Sequence, residues 1–572
     1  MCNQKPNSKT SMRDYTNHTD YRGLPIAIEQ GEKNVSNCCG LVFAQNKVKR
    51  QNVLRSLAKI IDSFVPRSHL ALYSTEDLIT QINSSLLIGK YELSDFNLLR
   101  KDKGFRSCVN KGIVASPSTL SRFYKKVAEY SQNFRDAICK KQNIDVKELS
   151  KTDPGRITND LFMSLCDFTL NRSIQILKKY GPKKYGPRDL IIIDVDSTPV
   201  NVYGIKAEAE YDPHYRMNGY LPLLVFINGI PAIVQNAPGA NYGAKLLMIH
   251  IDRIFSELRK EFPSATILLR GDTGFSFNPL IDVVEKYNGY YILGANHSLN
   301  KLNEALYIHL ADFVEDSLFD DVCVSDTLAQ ILRLDMFSIK HHSPEPRQEL
   351  TRSTAEGKVR CCGFVPNYRA ATWKKDRSIV YRLSYSPRFN DVNLRFIQTN
   401  LSIEDIIQIS KGRGIAKNRA RLEETLEKDP LNAEAAIELY ESIFSDRGME
   451  ERLNREWKND CGGANCSLND FFSNYLHMIL ALVSMQEFED LRRKHLSLQC
   501  NADSCRKARN KIKPNVTQSH CAVKITCGPE ISTIRSNLIA ITGRISELKR
   551  STVYKIDDIG SDWQLTFNYL KT

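Results

Sequence analysis

No stretch of this 572-residue sequence is apolar for the ~20 residues that a membrane-spanning helix needs. Its longest apolar runs, Leu221 to Ile227 and Met478 to Val483, are far shorter. The polar start, Met1 to Arg22, lacks the apolar run of a secretory leader. Both absences place the protein in the cytoplasm as an expectation, with no membrane partner. The 15 cysteines are odd in number and scattered, so no disulfide framework is read from them. No Ser/His or Cys/His constellation stands out, and nothing calls for a nucleotide cofactor. What is there is ordinary for a globular chain: 42% hydrophobic and 25% charged residues. That composition excludes disorder, collagen-like repetition and a coiled-coil rod. A net charge of +13 favours a polyanionic partner, nucleic acid among others.

The pattern divides the chain into seven parts. Residues 1–40 are polar and flexible. Residues 41–177 are helical, with Val53, Leu57, Ile60, Ile61 and Phe64 at three- and four-residue steps. Within them Ser116-Pro117 opens a helix with a cap and a first-turn proline. That helix carries Arg122, Lys125 and Lys126, so it reads either as a DNA-groove helix or as a solvated face of a bundle. Residues 178–188 repeat Lys-Lys-Tyr-Gly-Pro and form a linker. Residues 189–310 alternate buried strands (Leu190 to Val195, Tyr220 to Ile227, Thr266 to Arg270, Tyr290 to Leu293) with helices at Lys245 to Phe262 and Asn278 to Lys286, an α/β layer. Residues 311–402 are β-rich, with antiparallel strands at Val359 to Phe364, Arg377 to Tyr385 and Val392 to Thr399. Helices return over 403–498, and 499–572 form a C-terminal region.

Three carboxylates carry the chemistry. Asp194 and Asp196 close the first strand, and Asp272 follows the strand Thr266 to Arg270. Open α/β sheets bind ligands at such carboxyl ends, and converging carboxylates suit Mg²⁺; each aspartate alone is more often a strand-end cap or turn residue. Arg447, Glu451 and Lys458 fall four and seven residues apart, on one helical face. A carboxylate between two cations suits a metal ligand beside a phosphate backbone; the alternative is an ion-paired solvated helix.

These motifs resemble the DDE transposases of bacterial insertion sequences, and among them the group named for insertion sequence thirteen-eighty. The superfamily signature Tyr-x2-Arg-x3-Glu-x6-Lys is kept in spacing, with Phe444 in the tyrosine's place. Further matches are Asp-x-Asp-Ser-Thr at 194–198, Tyr215 through Leu223, Arg270-Gly-Asp272-x-Gly274-Phe275, Val392 to Leu401 and Ser116 through Phe123. Asn236 stands where the family usually has an arginine. The resemblance, over about residues 40–486, implies an α/β fold: a ribonuclease H-like catalytic core with a β-rich insertion, preceded by an all-helical region and followed by a helical one. It implies a catalytic and metal-binding triad of Asp196, Asp272 and Glu451 using Mg²⁺, with Mn²⁺ able to substitute, and Arg447 and Lys458 on DNA phosphates. The implied activity is cutting at transposon ends and joining the freed 3′-hydroxyls to target DNA, by a homodimer on double-stranded DNA at the bacterial nucleoid. Two other readings are a decayed end-binding protein and a nuclease without strand transfer. Weaker signals are a zinc site at Cys500, Cys505, His520, Cys521 and Cys527, DNA contacts from Lys411, Arg413, Lys417, Arg419 and Arg421, and base stacking by Trp373.

Overall fold

A computed structural model describes residues 14–19, 25–28, 35–109, 112–146, 148–149, 159–185, 188–204, 206–213, 215–239, 243–295, 350–353, 359–369, 373–386, 391–411, 417–429, 432–445, 448–499, 528–548, 551–556 and 559–571. The fold is mixed α/β around one mixed sheet. Short strands at Asp14–Thr19, Pro25–Ile28 and Val35–Ser36 precede helices α1 (Leu41–Arg50), α2 (Val53–Phe64), α3 (Thr75–Leu87), α4 (Pro117–Gln142) and α5 (Asp160–Tyr180). Ser116 caps α4 by accepting the Thr119 N–H at 3.3 Å, with Pro117 in the first turn. Helix α5 runs through Lys178 to Tyr180, and Lys183–Tyr185 pairs with the start of the next strand. Part of the expected linker, Lys183–Tyr185, is therefore paired with that strand.

The sheet begins with β1 (Arg188–Ser197), β2 (Leu223–Ile227) and β3 (Ile230–Gln235), an antiparallel meander. Helix α6 (Ile251–Glu261) leads to β4 (Thr266–Gly271), and α7 (Asn278–Lys286) to β5 (Tyr290–Ala295). Strands β4 and β5 run parallel to β1, so the spatial order is β3-β2-β1-β4-β5. The run read as one strand from Tyr220 to Ile227 divides at Pro222, which has no N–H for a ladder. Met217–Tyr220 joins a small three-stranded sheet with Val200–Asn201 and Glu210–Asp212 instead. Strand β3 escaped the sequence reading because Pro231 interrupts it. As an edge strand it tolerates that proline with a register shift. The helix expected over Lys245 to Phe262 likewise breaks at Ile249 and His250.

Strands β6 (Leu350–Ser353), β7 (Val359–Tyr368), β8 (Arg377–Ser386) and β9 (Asp391–Thr399) extend the same sheet beyond β5, with β9 antiparallel to it. Helices α8 (Ile403–Lys411), α9 (Lys417–Lys428), α10 (Ala433–Ser445) and α11 (Gly448–Arg455) follow, then the long α12 (Phe471–Gln499).

The two-residue period of β1 divides its side chains between two cores. Ile191, Ile193 and Val195 enter a large cluster shared with α1–α5 and α12, while Leu190 and Ile192 enter a smaller one under α8–α10. Strand β4 does the same, Ile267 and Leu269 against Leu268. Both faces are covered, which is why these strands read as continuous apolar runs. Each fully buried Ile, Leu or Val contributes about 1.5–3 kcal/mol, so the meander is secured well before any polar contact is counted. Among the described residues no helix is long and apolar enough to cross a membrane.

Candidate active site at the strand ends

The even-numbered positions of β1 and β4 face the α8–α10 layer, so Asp194, Asp196 and Arg270 continue the side begun by Leu190, Ile192 and Leu268. Arg270 sits opposite Asp194 in the parallel register and binds it in a fork, Nε to Oδ1 at 2.6 Å and Nη2 to Oδ2 at 3.0 Å. Its remaining Nη1 donates to the Ile443 carbonyl of α10 at 2.7 Å. Both partners are buried. This aspartate is a strut that ties β1, β4 and α10 together.

Beyond that pair, Asp196 stands near the end of β1 and Asp272 directly follows β4, its neighbour in the sheet. The Tyr215 phenol senses both: burial raises its pKa first, and the charges of Asp196 and Asp272 raise it further. Asp272 is exposed, and its Oδ1 accepts the Gly274 N–H at 2.8 Å, capping the turn Thr273–Phe275. The strand-end-cap reading is thus correct for one of its oxygens. Gly294 lets this turn lie against β5, since a Cβ there would stand 2.6 Å from the Thr273 nitrogen.

Helix α11 brings the third segment. Glu451 is exposed on it, and Asn454, one turn on, donates from Nδ2 to Asp196 Oδ2 at 2.6 Å. The helix then widens into a π-helical turn over Glu456–Asp460, a form that recurs at functional sites. Lys458 lies in that turn; burial holds its pKa below the ordinary amine range, and the Asp196 charge partly restores it. The turn is anchored by the fully buried Glu456, which receives Arg492 Nη2 at 2.6 and 2.8 Å and Arg452 Nε at 3.2 Å. Arg455 pairs with Glu530 at 2.6 Å. The arginines of α11 are therefore committed to Glu456 and Glu530.

The structure thus brings Asp196, Asp272 and Lys458 to one strand-end region and Glu451 onto the helix whose Asn454 touches it. Arg447 lies outside the described residues. Arg122, Lys125 and Lys126 are exposed on α4, whose other face packs on α12. Arg122 Nε bonds to the Ser118 carbonyl at 3.3 Å, and Lys125 pairs with Glu129 at 3.9 Å. Phe444 is half-buried against the smaller core. Asn236 is buried at the end of β3, two strands from Asp196, with its Oδ1 taken by the Ala237 N–H at 3.0 Å. Trp373 packs against Tyr368 and lies under Arg377. The zinc-candidate residues, His214 and Arg413 lie outside the described residues, and so do the side chains of Lys411, Lys417 and Arg419. Asn454 escaped the sequence reading; its position one turn after Glu451 was the available signal.

Among the described residues no three His, Cys, Asp or Glu side chains are grouped to hold an ion. The donor chemistry still fits a hard divalent cation: carboxylates at two adjacent strand ends, a carboxylate one helical turn from Asn454, and a buried carboxamide oxygen, Asn454 Oδ1, with no hydrogen-bond partner.

The class of protein, a transposase with a DDE domain, is given by its family. The chain belongs to the family described as transposase DDE domain group 1, whose model matches residues 22–526. No curated protein is significantly similar to it. A similar solved structure is the cryo-EM structure of the piggyBac transposase synaptic complex with hairpin DNA, at 8% identity over 87% of this chain and 82% of that one, with a TM-score of 0.33.

Proposed function

We infer that the protein cuts DNA at the ends of an insertion sequence of the thirteen-eighty group and joins the freed 3′-hydroxyls to target DNA, with Asp196, Asp272 and Glu451 as its triad. The observation that carries this reading is the order of the carboxylates about neighbouring strands: Asp196 near the end of β1, Asp272 directly after β4, and Glu451 on α11 one turn from Asn454, which bonds Asp196. The order β3-β2-β1-β4-β5, three antiparallel strands and then two parallel ones, supports a ribonuclease H-like core.

The three carboxylates would hold Mg²⁺ or Mn²⁺, which when bound activates a water and stabilises the leaving oxygen of a phosphodiester. Lys458, whose amine feels the Asp196 charge, would meet a backbone phosphate. Arg447, just before α11 in sequence, would do the same. Asp194 and Arg270 hold the strand ends in register, so the carboxylates are set before DNA arrives. Two ends have to be joined together, which supports a homodimer on DNA, and Arg122, Lys125 and Lys126 offer an exposed basic stripe for a duplex.

The test is cleavage and strand transfer on a labelled duplex carrying the element's own end, with Mg²⁺, comparing wild type with Glu451→Gln and Asp196→Asn. End-specific nicks and joined products, lost in both variants while duplex binding survives, are expected. Binding without cleavage by wild type would sink the enzyme reading in favour of a decayed end binder. Cleavage without joining would reduce it to a nuclease, and cleavage surviving in Glu451→Gln would move the third carboxylate to the neighbouring Glu450.

A further inference from the structure

Asn454 is 6% exposed, and its carboxamide is used at one end only. Nδ2 donates to Asp196 Oδ2 at 2.6 Å, while Oδ1 is buried with no hydrogen-bond partner among the described residues. Turning the amide over would not help, because it would set a carbonyl oxygen against a carboxylate oxygen. A buried acceptor without a partner is costly unless something fills its place. What fills it has to be electropositive and has to tolerate the Asp196 carboxylate beside it. Among the described residues no hydrogen-bond donor reaches it, whereas a hard cation accepts both oxygens.

We propose that Asn454 is a ligand in the cation site: its Oδ1 and the Asp196 carboxylate bind the same divalent ion, while its Nδ2 fixes the orientation of that carboxylate. The inference rests on the active-site reading above and deepens it. Among the described residues no three acidic, histidine or cysteine side chains are grouped, and a carboxamide oxygen would stand in for one such ligand. This coordination also gives α11 a reason for its placement. The buried Glu456–Arg492 pair holds the helix, and the helix carries both Asn454 and Glu451 to the end of β1. Because the amide is neutral, the site keeps a lower negative charge than four carboxylates would give, leaving attraction for a DNA phosphate.

The experiment is Mn²⁺ binding to the full chain without DNA, read by electron paramagnetic resonance and calorimetry, for wild type, Asp196→Asn, Asn454→Ala and Asn454→Asp. Thermal melts of the metal-free proteins run beside it. Wild type is expected to bind Mn²⁺ and Asp196→Asn to lose it. Asn454→Ala should weaken binding by about 10–100-fold, with Asn454→Asp restoring it by supplying an anionic oxygen at the same place. Wild-type affinity in Asn454→Ala, with the Asp196 dependence intact, would overturn the inference and leave the active-site reading standing. Weakening by Asn454→Ala that Asn454→Asp fails to restore, alongside a lowered melting temperature in both, would make Asn454 merely structural. No Asp196-dependent binding in wild type would overturn the inference and the triad together.

Discussion

At the scale of single residues, Asp194 and Asp196 show how neighbours decide a role. They lie on one side of one strand, yet Asp194 is held by both arms of Arg270 while Asp196 meets a neutral amide and a half-buried lysine. Removing one partner of a buried ion pair strands the other, so Asp194→Ala should lower unfolding free energy by about 3–5 kcal/mol. Urea denaturation would detect that as an earlier midpoint at unchanged slope. His250 offers a pH prediction. Burial lowers its pKa to about 4, with the ring nitrogen Nε2 2.9 Å from Gln235 Oε1. Its unfolded value near 6.5 is higher, so the unfolded state binds the proton first. The stability it confers is complete above pH ~6.5 and is lost as pH falls toward 4, by about 3 kcal/mol in all. His250→Gln should flatten that slope in denaturation midpoints taken at pH 7.5 and pH 5.

At the scale of elements, the β2–β3 hairpin turns on Asn228 and Gly229, both left-handed with φ of 50° and 80°. This is the Asn-Gly pair that a tight hairpin prefers, and it was legible in the sequence although the strand after it was not. Gly229→Val should destabilise the protein by about 1–2 kcal/mol through the cost of that backbone region; an equal melting temperature would refute the assignment of the turn. The three-stranded sheet after β1 presents Tyr203, Tyr211 and Tyr215 to solvent. It is fastened beneath by the buried Tyr220, whose hydroxyl donates to the Ala207 carbonyl at 2.7 Å. Of those exposed tyrosines, Tyr215 lies near the strand-end aspartates, and exposed aromatic faces suit stacking on unpaired bases, worth about 1–3 kcal/mol each. Tyr211→Ala is therefore expected to weaken binding of a frayed-end duplex more than of a blunt one, and equal losses in a gel-shift titration would count against stacking.

At the scale of the whole molecule, the N-terminal helices and the sheet share one core. Leu165 and Leu170 of α5, Ile233 and Val234 of β3 and Leu476, Ile479 and Leu480 of α12 belong to the same buried cluster. Helix α12 is buried along almost its whole length, and two of its carboxylates are paired with the N-terminal region. Asp490 meets Lys47 and Lys179, and Glu487 meets Arg172. Burial raises the Asp490 pKa, and the two lysines outweigh it, holding the carboxyl well below its usual range. Residues 189–499 alone should consequently fail to fold, giving no cooperative transition by circular dichroism. A sharp transition in that fragment would mean the helical region is an independent module.

The sequence by itself determined the α/β character, the apolar strands β1, β4 and β5, the spacing of Glu451 and Lys458 and the strand-end position of Asp196 and Asp272. These depend on local period and on short motifs, which neighbouring residues fix. Only the tertiary structure decided that Asp194 is a strut, that residues 350–399 prolong the core sheet, and that Asn454 meets Asp196 across 258 positions of chain. Each of those rests on strand register or on a helix arriving from far along the chain, and a partner so distant leaves no periodic trace in either segment.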